Sequence, residues 1–155
     1  MAMKKSFALR NIEGFSLIEV LVFTVVLSLF FVAAITVVIF NLKNMKIEEH
    51  KILSTRYAEE GVEWLKQEKE ADWSIFITQG SSGGKTYCLN SLDWNTAVNC
   101  GEIYDLGTPR FFKRELLITN SGSPVNQVNT TITVTWKEGV NSFNVAIKTV
   151  FKLLE

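Results

Sequence analysis

From Phe15 to Phe40 the chain runs 26 residues with one charged side chain, Glu19, and four other polar ones, Ser16, Thr24, Ser28 and Thr36. Coiled as an α-helix at about 1.5 Å per residue, this stretch rises roughly 39 Å, more than the roughly 30 Å hydrocarbon core of a bilayer. Lipid offers no partners to backbone N–H and C=O groups, so a segment of this kind must bond within itself as a helix. No Pro or Gly interrupts it. Val25, Val26, Ile35, Val37, Val38 and Ile39 are β-branched and favour strand in water. Twenty-six residues is several times the length of an ordinary strand, and length decides for helix.

The flanks set an orientation. Met1 to Glu13 is a polar leader carrying Lys4, Lys5 and Arg10 against Glu13. A basic flank of this kind stays cytoplasmic, which predicts a single-pass chain in the cytoplasmic membrane with everything after Phe40 on the far side. A secretory signal has a shorter apolar core followed by a small-residue cleavage site, whereas Lys43 follows this one. Glu19 is what a plain anchor leaves unexplained, because an ionisable group in a membrane span is costly and needs a partner.

Gly14-Phe15-Ser16-Leu17-Ile18-Glu19, abutting a long apolar helix, resembles the N-terminal motif of the type IV pilin and pseudopilin family. The resemblance covers roughly the first forty residues, and its signal is the combination of Gly14, the aromatic Phe15 and the carboxylate Glu19 at the mouth of the span. It implies cleavage after Gly14 by a prepilin peptidase and N-methylation of the new terminus, Phe15. It further implies that Glu19 pairs with the Phe15 amine of a neighbouring pilin subunit as helices bundle into a filament. An α-amino group, with a pKa of roughly 7.7–8.0, is cationic near neutral pH and is a suitable partner for a carboxylate in apolar surroundings. Extraction from the membrane by an assembly platform protein and its ATPase is part of what the family implies. The chain departs from the pattern in three ways. Glu13 stands where the family usually carries a basic residue, the apolar helix has no Pro, and the two cysteines sit mid-chain.

These readings divide the chain into a leader over 1–14, a membrane and filament-core helix over 15–40, and one exported domain over 41–155. About 115 residues is a single-domain length. Sixteen basic and sixteen acidic residues balance, and loss of the leader leaves 13 against 15. Such a near-neutral chain carries no electrostatic footprint for nucleic acid.

Residues 41–70 predict a continuation of the helix. Leu53, Tyr57, Ala58, Gly61, Val62 and Leu65 form one apolar stripe, with Glu48, Glu49, Lys51, Glu59, Glu63 and Lys66 opposite. The small Ala58 and Gly61 on that stripe predict a close approach by a sheet. His50, the only histidine, reads as a solvated surface residue on this helix. Residues 71–109 read as irregular, with Asp72-Trp73-Ser74 and Ser91-Leu92-Asp93-Trp94 as turns and Gly80-Ser81-Ser82-Gly83-Gly84 as a flexible tip. Gly84-Lys85-Thr86 lacks the earlier Gly of a phosphate loop, since position 79 is Gln. Cys88 and Cys100, an even count in an exported segment, predict a disulfide; no further Cys or His lies near to complete a metal site.

Residues 110–154 predict an antiparallel sheet. Phe111 to Thr119 is a first strand, and a loop follows over 120–124. In Thr131 to Trp136, Ile132, Val134 and Trp136 share one face and the threonines the other. After a turn over 137–142, Phe143, Val145, Ile147, Thr149 and Phe151 line the inner face of a closing strand, with Asn144, Lys148 and Lys152 outside. Asn129-Thr130-Thr131 is a glycosylation sequon by rule alone.

The expected fold is therefore α+β, a long N-terminal helix whose second half lies on a small C-terminal antiparallel sheet. No nucleophile, base or cofactor constellation stands out, so no catalytic, cofactor-binding or metal role is assigned to any residue. The expected function is a filament subunit, a minor pilin or pseudopilin of a type IV pilus or type II secretion filament. The alternative is a single-pass anchored binding module that does not polymerise.

Overall fold

One helix, α1, runs unbroken from Leu17 to Ala71 in the computed structural model, which describes Gly14 and residues 16–96 and 99–153. The chain divides into two compact units, Met1–Asn44 and Met45–Glu155. The first unit's part of α1 holds the apolar run and, after Phe40, the polar Asn41, Lys43 and Asn44. The second unit contains the remainder of α1, a short helix α2 (Trp73–Thr78), and four strands: β1 (Lys85–Cys88), β2 (Phe112–Ser121), β3 (Gln127–Glu138) and β4 (Asn141–Lys152). The strands form one sheet in the order β1-β2-β3-β4, every neighbouring pair antiparallel. Together they make the α+β arrangement.

Alternation in the strands builds the core. Along β3, Val128, Thr130, Ile132, Val134 and Trp136 are buried while the residues between them are not. Register places Leu116 opposite Ile132 on β2 and Ile147 opposite it on β4, so inward residues line up across three strands. Ala58, Val62 and Leu65 of α1 close over this face. Burying an aliphatic side chain of the size of Leu65 stabilises the fold by about 1.5–3 kcal/mol. At one end of the core the filling is aromatic: Phe76 meets Phe151 at 5.6 Å between ring centroids, and Tyr87 meets Trp94 at 5.3 Å. The β3–β4 connection is a two-residue hairpin, Gly139-Val140, between paired Glu138 and Asn141. Gly139 sits at φ +60°, which the primed hairpin turns require.

Gly61 sets how near the helix comes. A methyl group placed there would lie 2.9 Å from Ile132 Cδ1 and 3.4 Å from Arg114 Cδ. The space over Gly61 is therefore occupied by β2 and β3 side chains.

Among the described residues Arg114 is the one charged side chain that lies deep in the second unit, at 1 % exposure. Its Nε donates to the Leu89 carbonyl at 2.8 Å, and Nη1 donates to the Tyr57 carbonyl at 2.7 Å and to Glu60 Oε2 at 2.9 Å. One guanidinium thus ties β2 to α1 and to the segment after β1. Burial pushes its pKa below the usual arginine range, opposed by the hydrogen bond and charge of Glu60. The Arg114 backbone joins in: its N–H donates to Asn90 Oδ1 at 2.9 Å, and its carbonyl accepts from Leu89 N at 2.8 Å.

The disulfide Cys88–Cys100 forms, with Cα atoms 4.7 Å apart. It fastens the end of β1 to a loop that β2 also holds. Cys100 N donates to Glu115 Oε1 at 3.1 Å, and Lys113 Nζ donates to the Gly101 carbonyl at 2.6 Å.

Three expectations change. Residues 71–109 are not irregular throughout. Asp72 caps α2, its carboxylate accepting from Ile75 N at 3.0 Å, and β1 adds a fourth strand. The β2 and β3 strands run further than the alternation suggests, because cross-strand pairing continues through polar positions such as Asn120↔Val128. His50 is not a solvated side chain. It is half-buried, its Nδ1 lies 2.7 Å from Glu138 Oε1, and its ring lies 4.7 Å from that of Phe111.

Two outcomes follow from this packing. Gly61→Val should lower unfolding free energy by about 1–3 kcal/mol through overpacking against Ile132, read as a lower denaturation midpoint of the near-UV signal. Cys88→Ser with Cys100→Ser should cost about 3 kcal/mol for release of the loop, measured in the same way.

Candidate functional site

The first unit is where the sequence motif and the apolar run meet. Ser16 accepts at its carbonyl from Glu19 N at 2.9 Å and from Val20 N at 3.2 Å, so the helix starts immediately after it. Ser16-Leu17-Ile18-Glu19 has the Ser-x-x-Glu spacing of a capping box, and Glu19 lies in the first turn of α1. A carboxylate there meets the positive end of the helix dipole, which is favourable by about 0.3–1 kcal/mol where exposed. The entry residue Ser16 is a feature that the pilin-like reading of the motif passes over. Its signal, Ser three residues before Glu ahead of an apolar run, is present in the sequence.

Beyond that turn the helix has few polar demands. Thr24 donates to the Leu21 carbonyl at 2.9 Å, Ser28 to Val25 at 2.8 Å, and Thr36 to Val32 at 2.9 Å. All three hydroxyls are satisfied by the turn that precedes them, as an apolar surrounding demands. Glu19 is different: its side chain is exposed and has no hydrogen-bond or ion-pair partner among the described residues. It is the one charged side chain in the apolar run from Phe15 to Phe40.

That run has nothing covering it. Phe23, Phe30, Phe31, Ile39 and Phe40 are each more than half exposed, and the most apolar stretch of α1 has none of its residues buried. From Leu17 to Phe40 the helix rises about 36 Å, so it is long and apolar enough to cross a membrane. Monomeric soluble proteins rarely expose an apolar surface of this extent.

The remaining predicted residues are placed as follows. Gly14 is exposed, and a Cβ built on it would meet nothing within 4 Å. Phe15 and the leader residues before Gly14 lie outside the described residues, so the juxtaposition of a Phe15 amine with Glu19 is not in view. Cys88 and Cys100 are brought together at the end of β1. No group of three or more His, Cys, Asp or Glu side chains suited to a metal occurs among the described residues.

The uncovered helix carries its own test. The full chain should stay in the membrane pellet through an alkaline carbonate wash. A chain beginning at Met45 should appear in the supernatant, still holding its disulfide.

No protein-family model matches the chain, and neither a curated protein nor a solved structure matches it. Its function is read from its own residues.

Proposed function

We propose that this chain is a pilin-like structural subunit, stored in the membrane and assembled into a filament through α1. The observation that carries the reading is the sequence Gly14-Phe15-Ser16-Leu17-Ile18-Glu19 opening an apolar helix on which Glu19 is the one charge. Prepilin peptidase cuts after Gly14, and the methylated Phe15 becomes the N-terminus. The apolar face of α1 exchanges lipid for the helices of other subunits. Glu19 accepts the Phe15 ammonium of a neighbour, which sets the axial register of the bundle because an unpaired charge in that environment is strongly unfavourable. The role is structural rather than catalytic. The leader stays cytoplasmic, the second unit is exported, and a platform protein with its ATPase drives extraction. Within this class a minor pilin or pseudopilin fits best, on the long helix and the C-terminal hairpin.

A second reading has an observation of its own. Glu19 in the first turn beside Ser16 is also a helix-start carboxylate, which a single-pass anchored module would tolerate at the membrane surface. Glu19→Gln separates the two, because glutamine keeps the size and polarity of the side chain and loses the charge. For an assembling subunit, Glu19→Gln leaves protein level and export intact but removes the chain from sheared filaments. For an anchor it changes nothing. Intact mass of the extracted protein, with and without co-expressed prepilin peptidase, gives the independent check: a chain starting at methylated Phe15 is expected only with the peptidase. Retention of residues 1–14 beside an active peptidase control would exclude the filament reading.

A further inference from the structure

The second unit holds a cleft of about 280 Å³ between α1 and the loop that leads into β2. Its rim is fixed by the chain closing on itself: Leu106 N donates to the Phe112 carbonyl at 2.9 Å, and Phe112 N donates to the Leu106 carbonyl at 3.1 Å. Gly107, at φ +88°, lets the loop sit on Tyr57; a Cβ there would lie 2.9 Å from the Tyr57 hydroxyl. The lining residues include Tyr57, Phe111, Phe112, His50 and the exposed Glu49. The rings pack on one another, Tyr57 to Phe112 at 5.4 Å and Phe111 to Phe112 at 5.4 Å between centroids, so the walls are held in place. A second carboxylate, Glu138, lies behind His50 at 2.7 Å and also accepts from Trp136 Nε1 at 3.3 Å.

Glu49 is the one acidic side chain in the lining, and His50 is paired with Glu138. Among the described residues no Lys or Arg lines the cleft. Arg110, between Pro109 and Phe111, is engaged with Asp105, its Nε 2.8 Å from Oδ1. Aromatic faces carry negative potential and attract cations, and the neighbouring carboxylates add to that field. An anion is disfavoured on both counts. A divalent metal is disfavoured because no cluster of three ligating side chains occurs among the described residues. The volume lies at the lower edge of the range for ligand pockets, which limits the guest to a small head group.

We propose that this cleft binds a small alkylammonium cation, with Tyr57 and Phe111 as the aromatic wall, the buried Phe112 behind them and Glu49 as the counter-charge. The site is independent of filament assembly and stands whether or not Glu19 pairs between subunits. Two sources share the chemistry: a free quaternary ammonium solute and the head group of a choline phospholipid.

The test uses the full chain in an uncharged sugar-headed detergent and choline as probe, at constant ionic strength. Backbone amide shifts are followed by NMR, with 3,3-dimethylbutan-1-ol as the neutral isostere. Choline should give saturable shifts at residues 49–57 and 108–112, and the isostere should bind about tenfold more weakly or worse. Glu49→Gln, at an exposed position, should weaken choline about fivefold without altering the spectrum elsewhere, and Tyr57→Leu should weaken it further. Equal binding of choline and its isostere, non-saturable shifts, or full affinity in Glu49→Gln would overturn the proposal. A second arm places the chain in phosphatidylcholine and in phosphatidylglycerol nanodiscs without free choline. Occupancy shifts in the former alone identify the lipid head group as the source. Shifts appearing only on addition of free choline identify the solute.

Discussion

The approach of α1 to the sheet at Gly61 is the contact on which the second unit depends. With no side chain at that position, Ile132 and the stem of Arg114 come up against the helix backbone. Arg114 can then reach the Tyr57 carbonyl and Glu60 on one side and the Leu89 carbonyl on the other. A buried charge is tolerated only with such partners, since desolvation of an ion costs several kcal/mol. The helix, β2 and the segment after β1 are therefore held by one residue, whose position is set by the absence of another's side chain.

The two units meet opposite physical requirements. In the second, a core of apolar side chains is covered by its own chain, though Ile52, Ile75, Ile103 and Val140 stay exposed, and the buried cation is hydrogen-bonded. In the first, the apolar side chains of α1 are uncovered and the hydroxyls are turned back onto the helix. Along the apolar run up to Phe40, Glu19 is the single charged side chain. It lies in the first turn of α1, where a carboxylate meets the positive end of the helix dipole.

Much of this is legible in the residue order, and what is not has identifiable causes. The period-two alternation of Ile132, Val134 and Trp136 marks the inner face of β3, and the small pair Ala58 and Gly61 marks the close approach. The apolar run and Glu19 are equally plain, as is the pairing of the two cysteines. Helix α2, at six residues, is too short to show a helical period, and its start signal Asp72 reads equally well as a turn. Strand β1 has four residues beside a glycine-rich tip, which masks it. Arg114 and His50 fail for a different reason. Their partners are remote, Tyr57 by 57 residues and Glu138 by 88, and no local pattern reports a contact made at that distance. The cleft between α1 and the 106–112 loop is invisible for the same cause.

The cross-link between Cys88 and Cys100 has a mechanical meaning. A pull applied along the polypeptide, from the helix towards β4, passes through sulfur and leaves the intervening residues slack. Extended, that stretch would otherwise pay out about 40 Å of chain before tension reached β2. With the bridge closed, load arriving at β1 passes at once to the segment that Glu115 and Lys113 fasten to β2. The loop is thereby excused from bearing force along the chain, and its own packing, through Leu89, Asn90 and Trp94, serves the core instead.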